Sequence, residues 1–350
     1  MLAPSPGERA RWVWAWSGVV PGGRVGRIRK LLFQISPREV LFARRGFEPC
    51  SGPVQARLER VGQEFLAGYH AAMECDAPEP LARSLALVEA EFRGFAYEGA
   101  AMALVLLDRL MPGNGRRFHL FLQGPGAAHA YMAHVGAGWA VARLPWLRND
   151  VPRACSGMDP LLRWLLLDGY GFHEGYFHWP ASVSRHAVPR GLSGYAARAF
   201  DQGLGRSLWF VGGADVERIA SLAAGFAPAR HGDLYAGLGL ACAYAGGMSG
   251  DEIHRLCAAA GPHLPAFAQG VAFAARARQR AGNPTAHTEL VCREVWRLGQ
   301  DAAAAITGRA LEGLPSGDVE FPAAEPAYEA WRMRIQREAA AVNEVRYELR

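Results

Sequence analysis

Apolar residues recur along most of this chain at the spacing that places them on one face of an α-helix. Leu81, Leu85 and Val88 follow this spacing in one stretch, and residues 215–226 repeat it farther along. A second, more uniformly apolar stretch follows each of these after a glycine or proline. Because residues three and four apart share a helix face, the pattern predicts pairs of helices, the second more deeply buried than the first. No alternation of apolar and polar residues is long enough to predict a sheet.

A small-residue pattern marks the second helix of each pair: glycine, any residue, a small residue, any residue, a small residue. Its copies, of which two are looser, begin at Gly99, Gly136, Gly175 (looser), Gly203 (looser), Gly237 and Gly270. The successive spacings are 37, 39, 28, 34 and 33 residues. Glycine inside a helix costs roughly 1 kcal/mol relative to alanine, so its repetition indicates close backbone approach. We predict an all-α fold of repeated helical hairpins, about 33–39 residues each, in a solenoid-like or toroidal bundle.

Clusters of proline and glycine divide the chain into three parts. Residues 1–48 form a segment rich in tryptophan and arginine, residues 49–312 form the helical-hairpin repeat domain, and residues 313–350 form a linker and a C-terminal helix. A proline-containing stretch after Trp179 predicts that the repeat domain has two halves, 49–180 and 195–312. Asp215 and Asp251 are predicted helix N-caps because their side chains can accept a backbone hydrogen bond.

Composition narrows the function classes. Hydrophobic residues make up 50% of the chain and charged residues 20%, which is typical of a folded protein. The net charge of +5 is spread along the chain rather than forming a basic stripe with aromatics, so no nucleic-acid partner is predicted. Lys30 is the only lysine, and the chain lacks a P-loop and a dinucleotide-binding fingerprint. We therefore predict no cofactor.

The cysteines and the apolar runs bear on location. The six cysteines form no CxxC pair, which favours reduced thiols in the cytoplasm. No run of 18 apolar residues predicts a membrane span. Trp12, Trp14 and Trp16 precede a basic cluster at residues 24–30. Two interpretations stay open for them: packing into the core, or peripheral contact with a membrane surface.

The segment from Asp168 to Trp179 concentrates titratable and aromatic residues. In a helix, Glu174 and His178 lie one turn apart, and His173 precedes the glutamate. A carboxylate beside an imidazole suits general acid–base catalysis, and apolar neighbours raise the pKa of a carboxyl group. The aromatic residues of this segment are candidate walls of a substrate site: Tyr170, Phe172, Tyr176 and Trp179. A structural hydrogen-bonded pair is the alternative interpretation.

Alignment of the repeats adds a second set of candidates. The residue before the repeat glycine is Glu98, Glu174, Ala236 or Gln269 in four copies, and Tyr97 and Tyr235 precede two of these positions. Polar side chains repeated at one position either point into a shared cavity or bond to neighbouring helices. Glu98 is therefore a second candidate acid, with Tyr97, Tyr235 and Gln269 as candidate substrate contacts. The spacing of His129 and His134 fits a metal pair poorly and no HExxH motif occurs, so no metal site is predicted.

Several strings resemble a bacterial family described as UnbL-type enediyne biosynthesis proteins. They are DGYGFHEGYFHW (168–179), FDQGLGRSLWF (200–210), HGDLYAGLGLACAYAGG (231–247), QGVAFAARARQRAGN (269–283) and GAAHAYMAHVGAGWAVARL (126–144). The resemblance covers roughly residues 25 to 310. It implies a role in secondary metabolism near polyketide or polyene pathways, and it carries over no catalytic residue.

Two hypotheses for the function follow. In the first, the protein acts on an apolar polyene or isoprenoid-like intermediate by acid–base cyclisation or isomerisation, with Glu98 or Glu174 as the acid and His173 or His178 as the proton partner. In the second, it is a non-catalytic helical scaffold that binds a polyketide synthase or a carrier protein. An enclosed polar-bearing pocket favours the first hypothesis, and a dry packed interior with an exposed groove favours the second.

Overall fold

The computed structural model describes residues 23–112, 115–314 and 325–348, and every regular element in these ranges is helical. The α-helices are α1 Arg24–Phe33, α2 Phe42–Arg45, α3 Gly52–Glu74, α4 Pro78–Ala86, α5 Ala90–Leu110, α6 Arg117–Gln123, α7 Ala130–Arg143, α8 Pro145–Arg148, α9 Val151–Cys155, α10 Trp164–Phe177, α11 Trp179–Ser182, α12 Gly194–Val211, α13 Val216–Ala224, α14 Pro228–Ala245, α15 Gly250–Ala260, α16 Leu264–Ala281, α17 Ala286–Trp296, α18 Gln300–Leu311 and α19 Ala327–Glu348. The predicted all-α class is confirmed.

Some sequence features lie outside the described residues. They include Trp12, Trp14 and Trp16 and most of the predicted linker before α19. Among the helices of the described ranges, none is both long and apolar enough to cross a bilayer.

Side chains at the helix ends explain where the helices start. Asp215 precedes α13 and its side chain accepts a hydrogen bond from the backbone N–H of Arg218, as predicted. The prediction for Asp251 is wrong, because Ser249 is the N-cap of α15. Its hydroxyl and the carboxylate of Glu252 each bond to the other residue's backbone N–H, which satisfies two donors of the first turn.

Seven long helices form the interior: α3, α5, α7, α10, α12, α14 and α16. We call them the core helices, and each packs against the next one in this order. The shorter helices between them are amphipathic. Helix α13, for example, buries Val216, Ile219 and Ala223 and leaves Glu217 exposed to solvent. The sequence pattern of an amphipathic helix followed by a more uniformly apolar one thus corresponds to two levels of burial.

Glycines allow the backbones of adjacent core helices to touch. A Cβ atom built at Gly203 of α12 would collide with the carbonyl oxygen of Asp168 on α10, and one at Gly136 with that of Glu98. The same contact joins Gly99 to Phe65, Gly169 to Val135, Gly237 to Gln202 and Gly270 to Ala236. Any side chain at these positions would push two helices apart, which is why glycine is worth its cost in helix propensity here.

One repeat copy differs from the sequence assignment. In α10, Gly169 contacts the neighbouring carbonyl, whereas Gly175 faces the side chains of Leu204 and Ser207. With Gly169, the spacings become 37, 33, 34, 34 and 33 residues, so the repeat is more regular than predicted. Asp168, rather than Glu174, is therefore the residue of α10 that corresponds to Glu98.

The C-terminal helix is part of the interior. Helix α19 packs against α16 and α18, and its Tyr328, Trp331 and Arg332 are buried. Arg332 contacts Asp233 of α14 at 2.8 Å and Glu329 of its own helix at 3.0 Å. A helix whose composition suggests an exposed surface thus delivers aromatic and charged side chains into the core.

Candidate functional site

A chamber with mainly aromatic walls lies among α3, α5, α7, α10 and α12. Its cavity volume is about 30 Å³, which is room for little more than a water-sized molecule, and we call it the aromatic chamber. Two side chains that carry a titratable charge line it, Glu98 and Arg143, and the residues before α2 contribute Ile35 and Val40. Its aromatic lining consists of Phe65, Phe95, Trp139, Phe172, Tyr176, Phe177 and Phe210.

Glu98 is the acidic group of this chamber. Its side chain is 1% exposed, and Oε1 accepts a hydrogen bond of 2.9 Å from the indole N–H of Trp139. Oε2 has no hydrogen-bond partner among the described residues and lies 3.9 Å from the guanidinium of Arg206. Burial raises the pKa of Glu98 to about 7, although the positive charge of Arg206 opposes the shift. A substantial fraction of Glu98 is therefore protonated at neutral pH and able to donate a proton.

A buried polar network surrounds Arg206 next to Glu98. Arg206 donates to Asp168 Oδ1 at 2.6 Å, and Gln202 donates to Asp168 Oδ2 at 2.8 Å. Gln202 also donates to the hydroxyl of Tyr328 at 3.0 Å, which connects the network to α19. Asp168 and Gln202 both precede a repeat glycine, like Glu98, so the repeat brings these polar side chains to one region of the interior.

A second chamber lies on the other side of this network. It lies among α7, α10, α12, α14, α16 and α19, and its cavity volume is also about 30 Å³. Arg206 and Tyr244 line it, and Trp331 of α19 contributes another aromatic face. Because Arg206 lines this chamber and Glu98 lines the aromatic chamber, the contact between these two residues lies between the two spaces.

His173, Glu174 and His178 form a separate cluster at the end of α10. His173 Nδ1 lies 3.1 Å from Glu174 Oε1, and His178 Nδ1 lies 3.2 Å from Glu174 Oε2. Burial lowers the pKa of His173 to about 4. Burial opposes ionisation of Glu174, but hydrogen bonds from both histidines lower its pKa to about 2. Glu174 is therefore a carboxylate at neutral pH, which is unsuited to the predicted role of an acid.

Of the aromatic residues predicted to bind substrate, Phe172 and Tyr176 line the aromatic chamber. The others have contacts elsewhere. Tyr170 packs edge-on against Phe200, and Trp179 donates to the carbonyl of Arg45 at 2.8 Å. A ring contact explains the position of Tyr170, and a hydrogen bond explains that of Trp179. Only some of the aromatic residues of this segment therefore reach the chamber.

The candidates taken from the repeat alignment also separate. Tyr97 stacks on the ring of His129 with centroids 3.9 Å apart, and Tyr235 donates to the carbonyl of Ala259 at 3.2 Å. Gln269 accepts a hydrogen bond of 3.1 Å from Arg332. None of the three lines either chamber among the described residues. Of this set, the structure places only Glu98 in a chamber.

Trp139 and Arg206 are parts of the site that sequence reasoning missed. Trp139 lies inside a repeat copy, where its size was the only signal, and Arg206 lies in the glycine-rich stretch 201–206. That stretch is weak evidence for phosphate binding, and the structure gives the arginine a different role. Its guanidinium lies 4.6 Å from the ring centre of Phe172 and bonds to Asp168.

Comparison with known proteins gives a family and no activity. No curated protein and no solved structure matches the chain. Residues 24–339 match the family model described as "Protein of unknown function (DUF1702)". The resemblance to UnbL-type enediyne biosynthesis proteins stays a prediction. The match covers most of the sequence, and the chain therefore belongs to the DUF1702 family.

Proposed function

We propose that this protein is an enzyme of secondary metabolism that isomerises or cyclises an apolar polyene or isoprenoid-like compound, with Glu98 as the acid. One observation carries the proposal: a buried carboxyl group with a raised pKa and an unpartnered oxygen lines a chamber of aromatic rings. Aromatic faces attract cations, and apolar walls suit an apolar substrate, whose entry would have to widen the cavity of about 30 Å³. Perturbed carboxyl groups in such surroundings are typical of acid catalysts.

Glu98 alone can supply the proton that this reaction needs and can remove one afterwards. The carboxyl O–H adds its proton to one carbon of a double bond, and the neighbouring carbon becomes a carbocation between the faces of Trp139, Phe172 and Tyr176. The Glu98 carboxylate then removes a proton from an adjacent carbon, which forms a new double bond and restores the acid. If a second double bond of the substrate attacks the carbocation first, the product is cyclic. The overall change is an isomerisation, so no electrons are gained or lost.

The proposal includes a toroidal arrangement of the core helices, which would surround both chambers. Contacts between elements far apart in the sequence support it. Arg278 of α16 donates to the carbonyl of Glu91 in α5 at 3.1 Å, and Asn283 donates to that of Ala90 at 3.0 Å. The last core helix thus contacts the start of the second one, as closure of a ring requires.

A cytoplasmic location is part of the same proposal. It is supported by the six cysteines, which all lie in the described ranges and form no disulfide there. The scaffold function, with a polyketide synthase or a carrier protein as partner, is the alternative. A scaffold function would need a binding surface, and it would not explain the raised pKa of Glu98.

Replacing Glu98 with glutamine should abolish turnover. The substitution keeps the shape and the acceptor for Trp139 but removes the transferable proton, and general acids contribute about 10²- to 10⁴-fold in rate. The measurement is conversion of candidate polyenes and isoprenoids by purified protein. Glu64→Gln is the matched control, because burial also raises the pKa of Glu64, which lies outside the chamber beside Arg60. Equal turnover by wild type and Glu98→Gln would exclude the acid assignment.

The protonation state of Glu98 can be checked on the same variant without a substrate. Folding raises the pKa of Glu98 from 4.5 to about 7. Relative to neutral pH, Glu98 therefore stabilises the folded protein fully below pH 4.5. This stabilisation is lost as the pH rises to about 7, because the carboxyl group then ionises in the folded state as well. Urea unfolding across this interval should show a flatter pH dependence for Glu98→Gln than for wild type. Far-UV circular dichroism should be equal in both proteins and reports an intact fold.

The surface of α1 supports access of the substrate from a membrane. Val25, Ile28, Leu31 and Leu32 are exposed on this helix, whereas Arg29 is buried and pairs with Asp76 at 2.9 Å. The exposed arginines of α1 complement anionic headgroups, and Ile35, just after the helix, lines the aromatic chamber. We propose that α1 lies on an anionic bilayer, in which an apolar substrate would be dissolved.

Vesicle binding tests this docking surface. Wild type should sediment with vesicles that contain phosphatidylglycerol and much less with pure phosphatidylcholine. Leu31→Ser with Leu32→Ser should weaken the binding at least tenfold, because about 0.8 kcal/mol is lost per CH₂ group removed from the bilayer. Leu87→Ser is the control, since Leu87 is equally exposed but lies after α4. No vesicle binding by wild type would indicate that another part of the chain or a protein covers α1.

A further inference from the structure

The cluster at the end of α10 brings two imidazoles and a carboxylate together. One ligand atom each from His173, Glu174 and His178 lies within 4.8 Å of the other two. Glu174 and His178 are one helical turn apart, and α10 ends at Phe177. His178 therefore leaves the helix with φ near −121°. This end of the helix lets a residue five positions after His173 approach the same carboxylate.

The distances are those of hydrogen bonds, and they are also compatible with ligands that share one metal ion. Ligand atoms about 2.1 Å from an ion lie roughly 3.0 to 3.4 Å from one another in octahedral or tetrahedral geometry. The contact of His173 with Oε1 of Glu174, at 3.1 Å, and that of His178 with Oε2, at 3.2 Å, both fall in this range. The side chain of His178 is 55% exposed, so its ring can turn and bring its ligand nitrogen closer to that of His173.

Two of the three ligand side chains are already held in place. The ring of His173 is held between Trp139 and Phe177, with centroids 5.6 and 4.9 Å away. A fixed imidazole and a buried carboxylate lose little conformational entropy when an ion binds. The positive charge of Arg143 acts on both histidines and that of Arg148 on His178, and both charges oppose a dication. An additional anionic ligand on the exposed side would offset this repulsion.

We propose that His173, Glu174 and His178 bind a divalent transition-metal ion, with Zn²⁺ as the best match to two imidazoles and one carboxylate. The remaining coordination positions face solvent beside His178. The ion would fix the end of α10, from which Phe172, Tyr176 and Phe177 reach the aromatic chamber. The sequence analysis predicted no metal site, because it considered His129 and His134 and the absence of an HExxH motif, and it assigned His173, Glu174 and His178 to acid–base chemistry.

The test uses the full-length, tag-free protein. After removal of bound metal with EDTA, Zn²⁺ affinity is measured by competition with a chromophoric chelator, and Co²⁺ provides a visible spectrum of the coordination geometry. We expect one ion per chain, and we expect His178→Ala and Glu174→Gln to weaken binding at least tenfold. The first of these is the more informative variant, because a half-exposed histidine can be replaced without unfolding the core.

A matched control is available on the surface. His254 contacts Glu294 at 2.6 Å, without a third ligand in the described part of the chain, so His254→Ala should leave Zn²⁺ binding unchanged. If wild type binds no Zn²⁺, or if His178→Ala binds it as tightly as wild type, the site does not exist. The outcome is separate from that of Glu98→Gln turnover, so each proposal can fail alone.

Discussion

A Gly203→Ala substitution is expected to destabilise the protein by about 3 kcal/mol, the upper end of the typical cost of overpacking a core, which is a large fraction of the stability of a typical domain. The added Cβ would overlap the carbonyl oxygen of Asp168 on the adjacent core helix. A backbone atom cannot rotate away as a side chain can, so α10 and α12 must separate. Their separation would also disturb the hydrogen bonds of Asp168 with Gln202 and Arg206. Urea unfolding, followed by circular dichroism, measures the loss.

Gly308→Ala is the matched control for this substitution. Gly308 is also helical, but no heavy atom lies within 4 Å of a Cβ built there. Alanine should stabilise α18 by about 0.5 to 1 kcal/mol, since it has the higher helix propensity. Opposite signs for the two substitutions are the expected result. A Gly203→Ala protein as stable as wild type would show that the helices do not touch at this position.

The repeat glycines show how far sequence reasoning reached. Glycine within apolar helices correctly indicated close backbone approach, because no other residue type permits that contact. The register within α10 could not be predicted from the pattern, since Gly169 and Gly175 are both followed by small or aromatic neighbours. Only the packing of α7 and α12 against α10 decides which glycine touches a carbonyl. The choice of Glu174 instead of Asp168 as the counterpart of Glu98 follows from this ambiguity.

Residues of the candidate site could be predicted where their type or their position in a repeat is unusual in the sequence. Glu98, Phe172 and Tyr176 were singled out from an acidic position in a repeat and from aromatic density, and all three line the aromatic chamber. Contacts of α19 could not be predicted in this way. Tyr328 and Arg332 lie in a helix rich in charged residues, beyond a segment rich in proline and glycine, and no local pattern indicates burial. Their partners lie more than 60 residues earlier in the chain.

Replacing Arg206 with methionine is expected to cost about 3 to 5 kcal/mol, the typical penalty for removing one partner of a buried ion pair. Arg206 is 3% exposed and donates to Asp168 at 2.6 Å. Methionine fills a similar volume but, within the described ranges, leaves Gln202 as the remaining side-chain donor to the carboxylate of Asp168. Chemical denaturation measures the loss, and Arg255→Met is the control. Arg255 pairs with Glu217 at 2.6 Å on the surface, where such a pair contributes about 1 kcal/mol or less.

The combination of Arg206→Met with Asp168→Leu separates the cost of an unpaired charge from the loss of packing. If the orphaned carboxylate dominates, the double variant should recover more than half of the stability that Arg206→Met loses, because apolar replacement of a whole buried pair is often neutral. The guanidinium lowers the pKa of Glu98 and Asp168 raises it, so Glu98 should stay protonated to higher pH in Arg206→Met, and less so in the double variant. A double variant as unstable as the sum of the single ones would instead assign the loss to packing around Phe172, over which the guanidinium lies.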